Sequence, residues 1–142
     1  MWLIGRRKTR TLNDADFGEI TERKRGSWEG IQFELWGYNQ VQVLLDADES
    51  GPSAVQRRLC HNLRANSGNI RQFIEDAVRK YIANTAELMA PSTNPIRLTS
   101  IFFPSDPDTA DWRIWYDLEG EEMIWFGAEV KPSNEIVPFA ED

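Results

Sequence analysis

The sequence predicts an α+β protein in which antiparallel β-strands flank two helices, in the order βββ-αα-βββ, with both helices packed on one face. Two patterns predict this class. Apolar and polar residues alternate with a period of two before residue 46 and after residue 96, and apolar residues at helical spacing lie between. The chain has 142 residues, of which 41% are hydrophobic and 11% aromatic, enough for one core. We therefore expect a flexible basic leader over 1–13 and a single domain over 14–142.

Three strands are predicted in the first part of the chain. A short strand is expected at 17–22 and a longer one at 27–36, where the alternation is clearest. The residues at 37–39 are typical of a turn, and a returning strand follows at 40–45. This succession indicates an antiparallel meander.

Two capped helices are predicted next. Ser53 begins the first, because Ser53 and Gln56 have the spacing of a capping box, and Gly68 ends it. Asn69 is expected to cap the second helix, which must end before Pro91. The second helix has an apolar stripe at helical spacing, made of Ile70, Phe73, Ile74, Ala77, Val78, Tyr81 and Ile82.

The last part of the chain returns to strands. They are expected at 96–103, 112–118 and 123–130, and 136–137 is a candidate for a further short one. The sequence leaves open whether the two groups of strands join in one sheet.

Charge and composition exclude several classes of protein. The net charge is −7, and residues 90–142 carry three basic and eleven acidic side chains, which disfavours binding to nucleic-acid phosphate. No run approaches the ~18 apolar residues of a membrane span, and the N-terminal order of apolar and basic residues is not that of a signal peptide. The only cysteine, Cys60, forms no internal disulfide. We expect a cytoplasmic protein without nucleic-acid or membrane partners.

A calcium loop is the first chemical site to consider. Asp46, Asp48 and Ser50 match its opening, but Arg57 stands where its closing glutamate is required. We interpret this segment as an acidic turn between a strand and a helix, and weak calcium binding stays open.

Catalytic interpretations are weaker. Cys60 and His61 are adjacent on a helix, so their side chains diverge and cannot form a nucleophile–base pair. Asp106, Asp108 and Asp111 form an acidic cluster that suggests a metal-dependent hydrolase as an alternative function. The common nucleotide, cofactor and nucleophile motifs are absent, and we expect no cofactor.

Tryptophans beside carboxylates favour protein binding instead. Trp112 and Trp115 lie on opposite faces of one predicted strand, so a single layer cannot bury both. An exposed tryptophan with a charged rim is typical of a binding hot spot. The residues expected to contact a partner are Trp36, Trp115, Asp106, Asp108, Asp111, Asp117, Glu119, Glu121 and Glu122.

The chain also resembles a known group of proteins. The residues that carry the resemblance are Phe17-Gly18-Glu19-Ile20, Trp28-Glu29-Gly30 and Glu121-Glu122-Met123-Ile124-Trp125-Phe126-Gly127-Ala128-Glu129-Val130. With the two capped helices, they are similar to small bacterial domains of unknown function, some of which accompany polymorphic or contact-dependent toxins as immunity proteins. The resemblance spans about residues 14–138. Some relatives have a Gly-His in the last strand where this chain has Gly127-Ala128, so no site using that histidine is implied.

The resemblance implies a binding or neutralising role and supplies no catalytic residue. We therefore expect a non-enzymatic protein-binding module, most concretely an immunity protein that occludes a cognate toxin with a basic surface. A metal-dependent hydrolase and a homo-oligomeric structural protein, dimerising through an open sheet edge, remain the alternatives.

Overall fold

A computed structural model describes residues 9–142, and in that part of the chain eight strands form one sheet in chain order. The strands are β1 (Arg10–Asp14), β2 (Gly18–Lys24), β3 (Ser27–Leu35), β4 (Tyr38–Asp46), β5 (Ile96–Phe103), β6 (Trp112–Leu118), β7 (Trp125–Val130) and β8 (Ile136–Glu141). Two α-helices, α1 (Ala54–Arg64) and α2 (Ile70–Ala83), connect β4 to β5. Neighbouring strands are antiparallel except β4 and β5, which are parallel.

The α+β class with two helices is confirmed, but the predicted order βββ-αα-βββ is wrong. Four strands precede the helices and four follow them, and they form a mixed sheet rather than an antiparallel one. β1 escaped prediction because its sequence, Arg-Thr-Leu-Asn-Asp, is mostly polar and exposed, as an edge strand can be. It begins inside the segment 1–13 expected as a leader, of which residues 1–8 lie outside the described residues.

The parallel pair β4–β5 joins the two groups of strands at the centre of the sheet. Val43 lies opposite Ile101 and Leu45 opposite Phe103, and all four side chains are buried. Parallel strands require a crossover connection, which α1 and α2 provide. The pairing depends on residues far apart in the chain, so no local pattern indicates it.

Both helices pack on the same face of the sheet. The predicted alternation in β6 is confirmed, since Trp112 and Ile114 are buried and Arg113 and Trp115 are not. The helix residues in the same core cluster are Cys60, Leu63, Ile74, Val78 and Ile82. The opposite face, called the open face below, is not covered by any element of residues 9–142.

Gln56 fastens α1 to the ends of both central strands. The predicted capping box is confirmed, with the Gln56 amide nitrogen donating to Ser53 Oγ and the Ser53 amide to Gln56 Oε1 at 2.9 Å. The fully buried Gln56 side chain also donates from Nε2 to the carbonyl oxygens of Asp46 and Pro104, each at 2.8 Å. One side chain therefore satisfies backbone groups at the ends of β4, β5 and α1.

The predicted cap of α2 at Asn69 is wrong. Asn69 has φ 58° and makes no capping bond through its side chain, whereas Asn66 Oδ1 accepts from the Arg71 amide at 2.9 Å. The tight connection between the helices places Asn69 in the left-handed region, and a cap needs an extended backbone. Only part of the predicted stripe is buried, since Phe73 is 60% and Tyr81 38% exposed.

Loss of the Gln56 amide will destabilise the sheet centre. We expect Gln56→Ala to lower the free energy of unfolding by about 2–4 kcal/mol, because buried carbonyls lose their donor. Gln72→Ala, an exposed position on α2, is the matched control and should change it by less than ~0.5 kcal/mol. Urea denaturation measures both, and equal stability of the two variants would contradict the role given to Gln56.

An ion-pair cluster holds the β1–β2 turn on α1. Arg57 lies 2.6 Å from Asp14 Oδ1 and 2.8 Å from Asp16 Oδ2. Burial raises the pKa of Asp14, but hydrogen bonds from Arg57 and from the amides of Asp16 and Phe17 outweigh it, so the pKa lies below its ordinary value. The pKa of Asp16 is also lowered, because hydrogen bonds from His61 and Arg57 outweigh the opposing effect of burial.

This cluster makes part of the stability depend on pH. A carboxylate whose folded pKa is below the unfolded value of 3.8 contributes fully above that pH and loses its contribution as the pH falls through the folded pKa. Asp14→Asn should therefore cost about 1–2 kcal/mol at pH 7 and progressively less below pH ~4. Denaturation curves across this range test it, with Asp108→Asn at an exposed position as the control. A cost for Asp14→Asn that does not shrink in acid would refute the assignment.

Candidate functional site

The structure separates the carboxylates that were expected to form one binding surface. Asp106, Asp108 and Asp111 precede β6, whereas Glu119, Glu121 and Glu122 follow it, so the two groups lie at opposite ends of the strand. Seven extended residues span roughly 20 Å. A single partner contact through all of them is therefore not formed by local clustering.

The three aspartates before β6 are engaged within the protein. Asp106 Oδ1 accepts from the Asp108 amide at 3.0 Å, and Asp111 Oδ2 accepts from Lys131 Nζ at 2.8 Å. Asp108 lies 3.8 Å from an Arg58 guanidinium nitrogen. Residues 9–142 contain no group of three or more His, Cys, Asp or Glu side chains placed to hold a metal ion. The hydrolase interpretation therefore has no assembled centre in this part of the chain.

The calcium-like segment forms a turn. Asp48 Oδ1 accepts from the Ser50 amide at 2.9 Å and from its hydroxyl, and these bonds lower the pKa of Asp48. The Asp48 carbonyl accepts from Trp28 Nε1 at 3.0 Å, and the Asp46 carbonyl accepts from Gln56. These bonds account for the acidic residues as turn formers, as the sequence indicated.

Cys60 and His61 do not form a reactive pair. Cys60 is fully buried, and burial raises the pKa of its thiol to about 11, so the nucleophilic thiolate is scarce at neutral pH. The His61 side chain is 61% exposed and lies with Nε2 2.8 Å from Asp16 Oδ1. The prediction that these neighbours diverge is confirmed.

The two tryptophans expected to anchor a partner have different surroundings. Trp36 is half-buried in the β3–β4 turn, where its Nε1 donates to the Leu63 carbonyl at 2.7 Å and Arg71 lies over its ring. Trp36 thus fastens this turn to the helices. Trp115, by contrast, lies half-buried on the open face, where it can contact a partner.

A groove with aromatic walls crosses the open face. We call it the aromatic groove; its volume is about 340 Å³, and residues from five adjacent strands line it. These residues are Gln42, Leu44, Thr99, Ser100, Trp115, Asp117, Trp125 and Glu141. Trp125 is 47% exposed, a large fraction for a tryptophan within a sheet. The groove is the site in which aromatic and acidic side chains converge.

Gly127 makes the aromatic arrangement beside the groove feasible. It lies between Trp115 and Phe139 in the strand register, and their rings meet above it edge to face, with centroids 6.1 Å apart. A Cβ on Gly127 would press against the Ile114 carbonyl oxygen and lie 2.7 Å from Phe139 Cζ. The missing side chain therefore allows two aromatic rings to pack across one strand.

Negative charge surrounds one end of the aromatic groove. Asp117 pairs with Arg97 at 3.3 Å, but Glu119, Glu122 and Glu141 have no ion-pair partner within residues 9–142. These carboxylates meet where β6 ends, β7 begins and β8 ends, beside Trp125. The arrangement suits a ligand that combines cationic groups with apolar surface.

Sequence reasoning missed Trp125, Phe139 and Glu141 as members of this site. Trp125 and Trp115 are both spaced evenly from Gly127, a signal that would place them on one face once strand pairing is known. The pairing of Trp125 with Glu141 depends on β8, which the sequence indicated only at 136–137.

A larger cavity of about 550 Å³ lies on the helix side, between the α1–α2 connection and the ends of β6, β7 and β8. Leu59, Phe73, Trp112 and Ile136 are among its walls, and none of its lining side chains is charged. It offers no group for acid–base chemistry and no complement for a charged ligand.

Comparison with known proteins finds no match to this chain among protein-family models, curated proteins or solved structures. Among residues 9–142, neither helix combines the length and the apolar character needed to cross a membrane.

Substitution of Gly127 will disturb the aromatic pair. We expect Gly127→Ala to cost about 3 kcal/mol of unfolding free energy, because the clash involves backbone that cannot move aside. It should also change the near-UV circular dichroism of the tryptophans. Gly37→Ala is the control, since a Cβ there meets nothing within 4 Å and only its φ of 90° is unfavourable. A Gly127→Ala protein as stable as Gly37→Ala, with an unchanged spectrum, would show that the close approach is not real.

Proposed function

We propose that this chain is a non-enzymatic protein-binding module that holds a partner with a basic surface at the aromatic groove. The particular form that we propose is an immunity protein, which neutralises a cognate bacterial toxin by occluding it. The observation that supports a binding role is Trp125, 47% exposed on an uncovered sheet face and bordered by carboxylates without ion-pair partners in the described residues.

The chemistry of the groove favours a protein partner. Trp115, Trp125 and Leu44 offer apolar contact along the open face, which suits an extended segment or a protruding loop. Tryptophan is among the residues that most often dominate binding energy at protein interfaces. Met123, 64% exposed just before β7, extends the apolar surface at the acidic end.

Two physical effects would act in sequence. Glu119, Glu122 and Glu141 would steer a basic partner towards the groove and raise the association rate. Burial of the Trp125 ring would then slow dissociation, since most differences in affinity between related complexes lie in the dissociation rate. Occlusion needs no covalent step, which agrees with the absence of an assembled catalytic centre in residues 9–142.

A matched pair of variants tests this proposal in the source bacterium. The wild-type chain, Trp125→Ala and Phe73→Ala serve as baits; Phe73 is also an exposed aromatic but lies on the helix side. We expect one basic protein to bind wild type and Phe73→Ala and to bind Trp125→Ala at least ~30-fold more weakly, the cost of a hot-spot residue. That protein should arrest growth when produced alone, and wild type or Phe73→Ala should restore growth.

The same variants identify the contrary outcomes. Equal capture and equal protection by wild type and Trp125→Ala would refute the aromatic groove as the binding surface. Sedimentation of the isolated chain at several concentrations gives a separate test. Self-association that Trp125→Ala abolishes would identify a second copy as the occupant and contradict a toxin partner.

A further inference from the structure

A second concavity adjoins the aromatic groove at the β6–β7 turn. We call it the Glu121 pocket; its volume is about 480 Å³, and residues 95–97 and 117–121 line it. Asp117 belongs to the walls of both the groove and the pocket. A molecule bound along the groove would therefore meet the pocket next.

Glu121 brings a buried carboxylate with one unused oxygen to this pocket. The residue is only 8% exposed, and its Oε1 accepts from the Met89 amide at 2.7 Å. Its Oε2 is buried and has no hydrogen-bond partner in residues 9–142, and no other buried side-chain nitrogen or oxygen described there lacks one. Such groups are costly, so an unpaired carboxylate oxygen indicates that a donor belongs beside it. Protonation would not remove the need, since a carboxylic acid at Oε2 also requires a partner.

The pocket walls carry more negative than positive charge. Asp117, Glu119 and Glu121 face a single cation, Arg97, which is 71% exposed and already paired with Asp117 at 3.3 Å. Glu119 and Glu121 thus lack a cationic partner in the described residues. The local field favours a positively charged occupant.

The pocket is held in shape before anything binds. Asn94 Nδ2 donates to the Glu119 carbonyl at 2.8 Å, and the Arg79 guanidinium binds the Asn94 carbonyl. Gly120, with φ 85°, turns the chain so that Glu121 reaches Met89 rather than solvent. Preformed walls reduce the ordering cost of binding.

We infer that the Glu121 pocket binds the guanidinium group of an arginine side chain from the partner, with Glu121 Oε2 as acceptor. This inference rests on the proposed function and names the group recognised there. A guanidinium has five N–H donors in a fixed plane, and charge-assisted bonds to carboxylate are among the strongest hydrogen bonds in proteins. A divalent cation fits less well, because no three metal-binding side chains converge in residues 9–142.

Two small probes test the pocket on the wild-type chain without the partner. N-acetyl-arginine N-methylamide carries the guanidinium, and N-acetyl-citrulline N-methylamide has nearly the same shape without the charge. We expect the arginine probe to give saturable NMR shifts at the Met89, Gly120 and Glu121 amides with a Kd near ~1 mM, typical of a single small group. The citrulline probe should bind at least about tenfold more weakly, because it lacks the charge-assisted bond.

Glu121→Gln should reduce affinity for the arginine probe about tenfold as well, because it keeps an acceptor for Met89 but removes the charge. Glu135→Gln, on the exposed β7–β8 turn at the other end of the sheet, should leave it unchanged. Thermal unfolding shows whether Glu121→Gln folds, and if it does not, the two probes on wild type still decide.

Several results would overturn the inference. These are equal binding of the two probes, equal binding of the arginine probe to Glu121→Gln and wild type, or no saturable shift up to roughly 50 mM, far above the expected Kd. If Trp125-dependent partner capture succeeds while the arginine probe fails, the binding function stands and the pocket assignment falls. If the probe binds but no partner depends on Trp125, the proposed function falls instead.

Discussion

The parallel pairing of β4 with β5 determines where the other elements can lie. The two strands cannot be joined by a short turn, so the chain must leave the sheet, cross one face and return. The two helices make this crossing, and Gln56 closes it by binding carbonyls at the ends of both strands. Because the crossing occupies a single face, the helices bury one side of the sheet and leave the other open.

The open face follows from this asymmetry, and so does the candidate site. Trp115 and Trp125 could not be exposed if a second layer covered the sheet, and their spacing across Gly127 depends on the antiparallel register of β6, β7 and β8. The acidic end of the groove arises in the same way, because the end of β8 brings Glu141 beside Trp125. The site is thus a product of strand pairing rather than of any contiguous motif.

Local patterns predicted the local structure well. The alternation in 112–118 identified which face of β6 is buried, and Ser53 with Gln56 identified the start of α1. Features that depend on distant residues were missed: the parallel pair, the polar edge strand β1, and the groove. Glu121 was expected at a partner surface but is largely buried, because the Gly120 turn directs it towards Met89. Sequence spacing identifies a carboxylate, whereas its surroundings depend on which loop the fold places beside it.

The order of the strands has a consequence for how the chain reaches its native state. Every neighbouring pair except β4–β5 is consecutive along the chain and can form soon after its turn closes. The central pair instead brings together Gln42 and Ser100, which are 58 residues apart, so its closure carries the largest loss of chain entropy. Each half can assemble as a local meander, and the docking of the halves is then the slow, cooperative event that creates the groove spanning them.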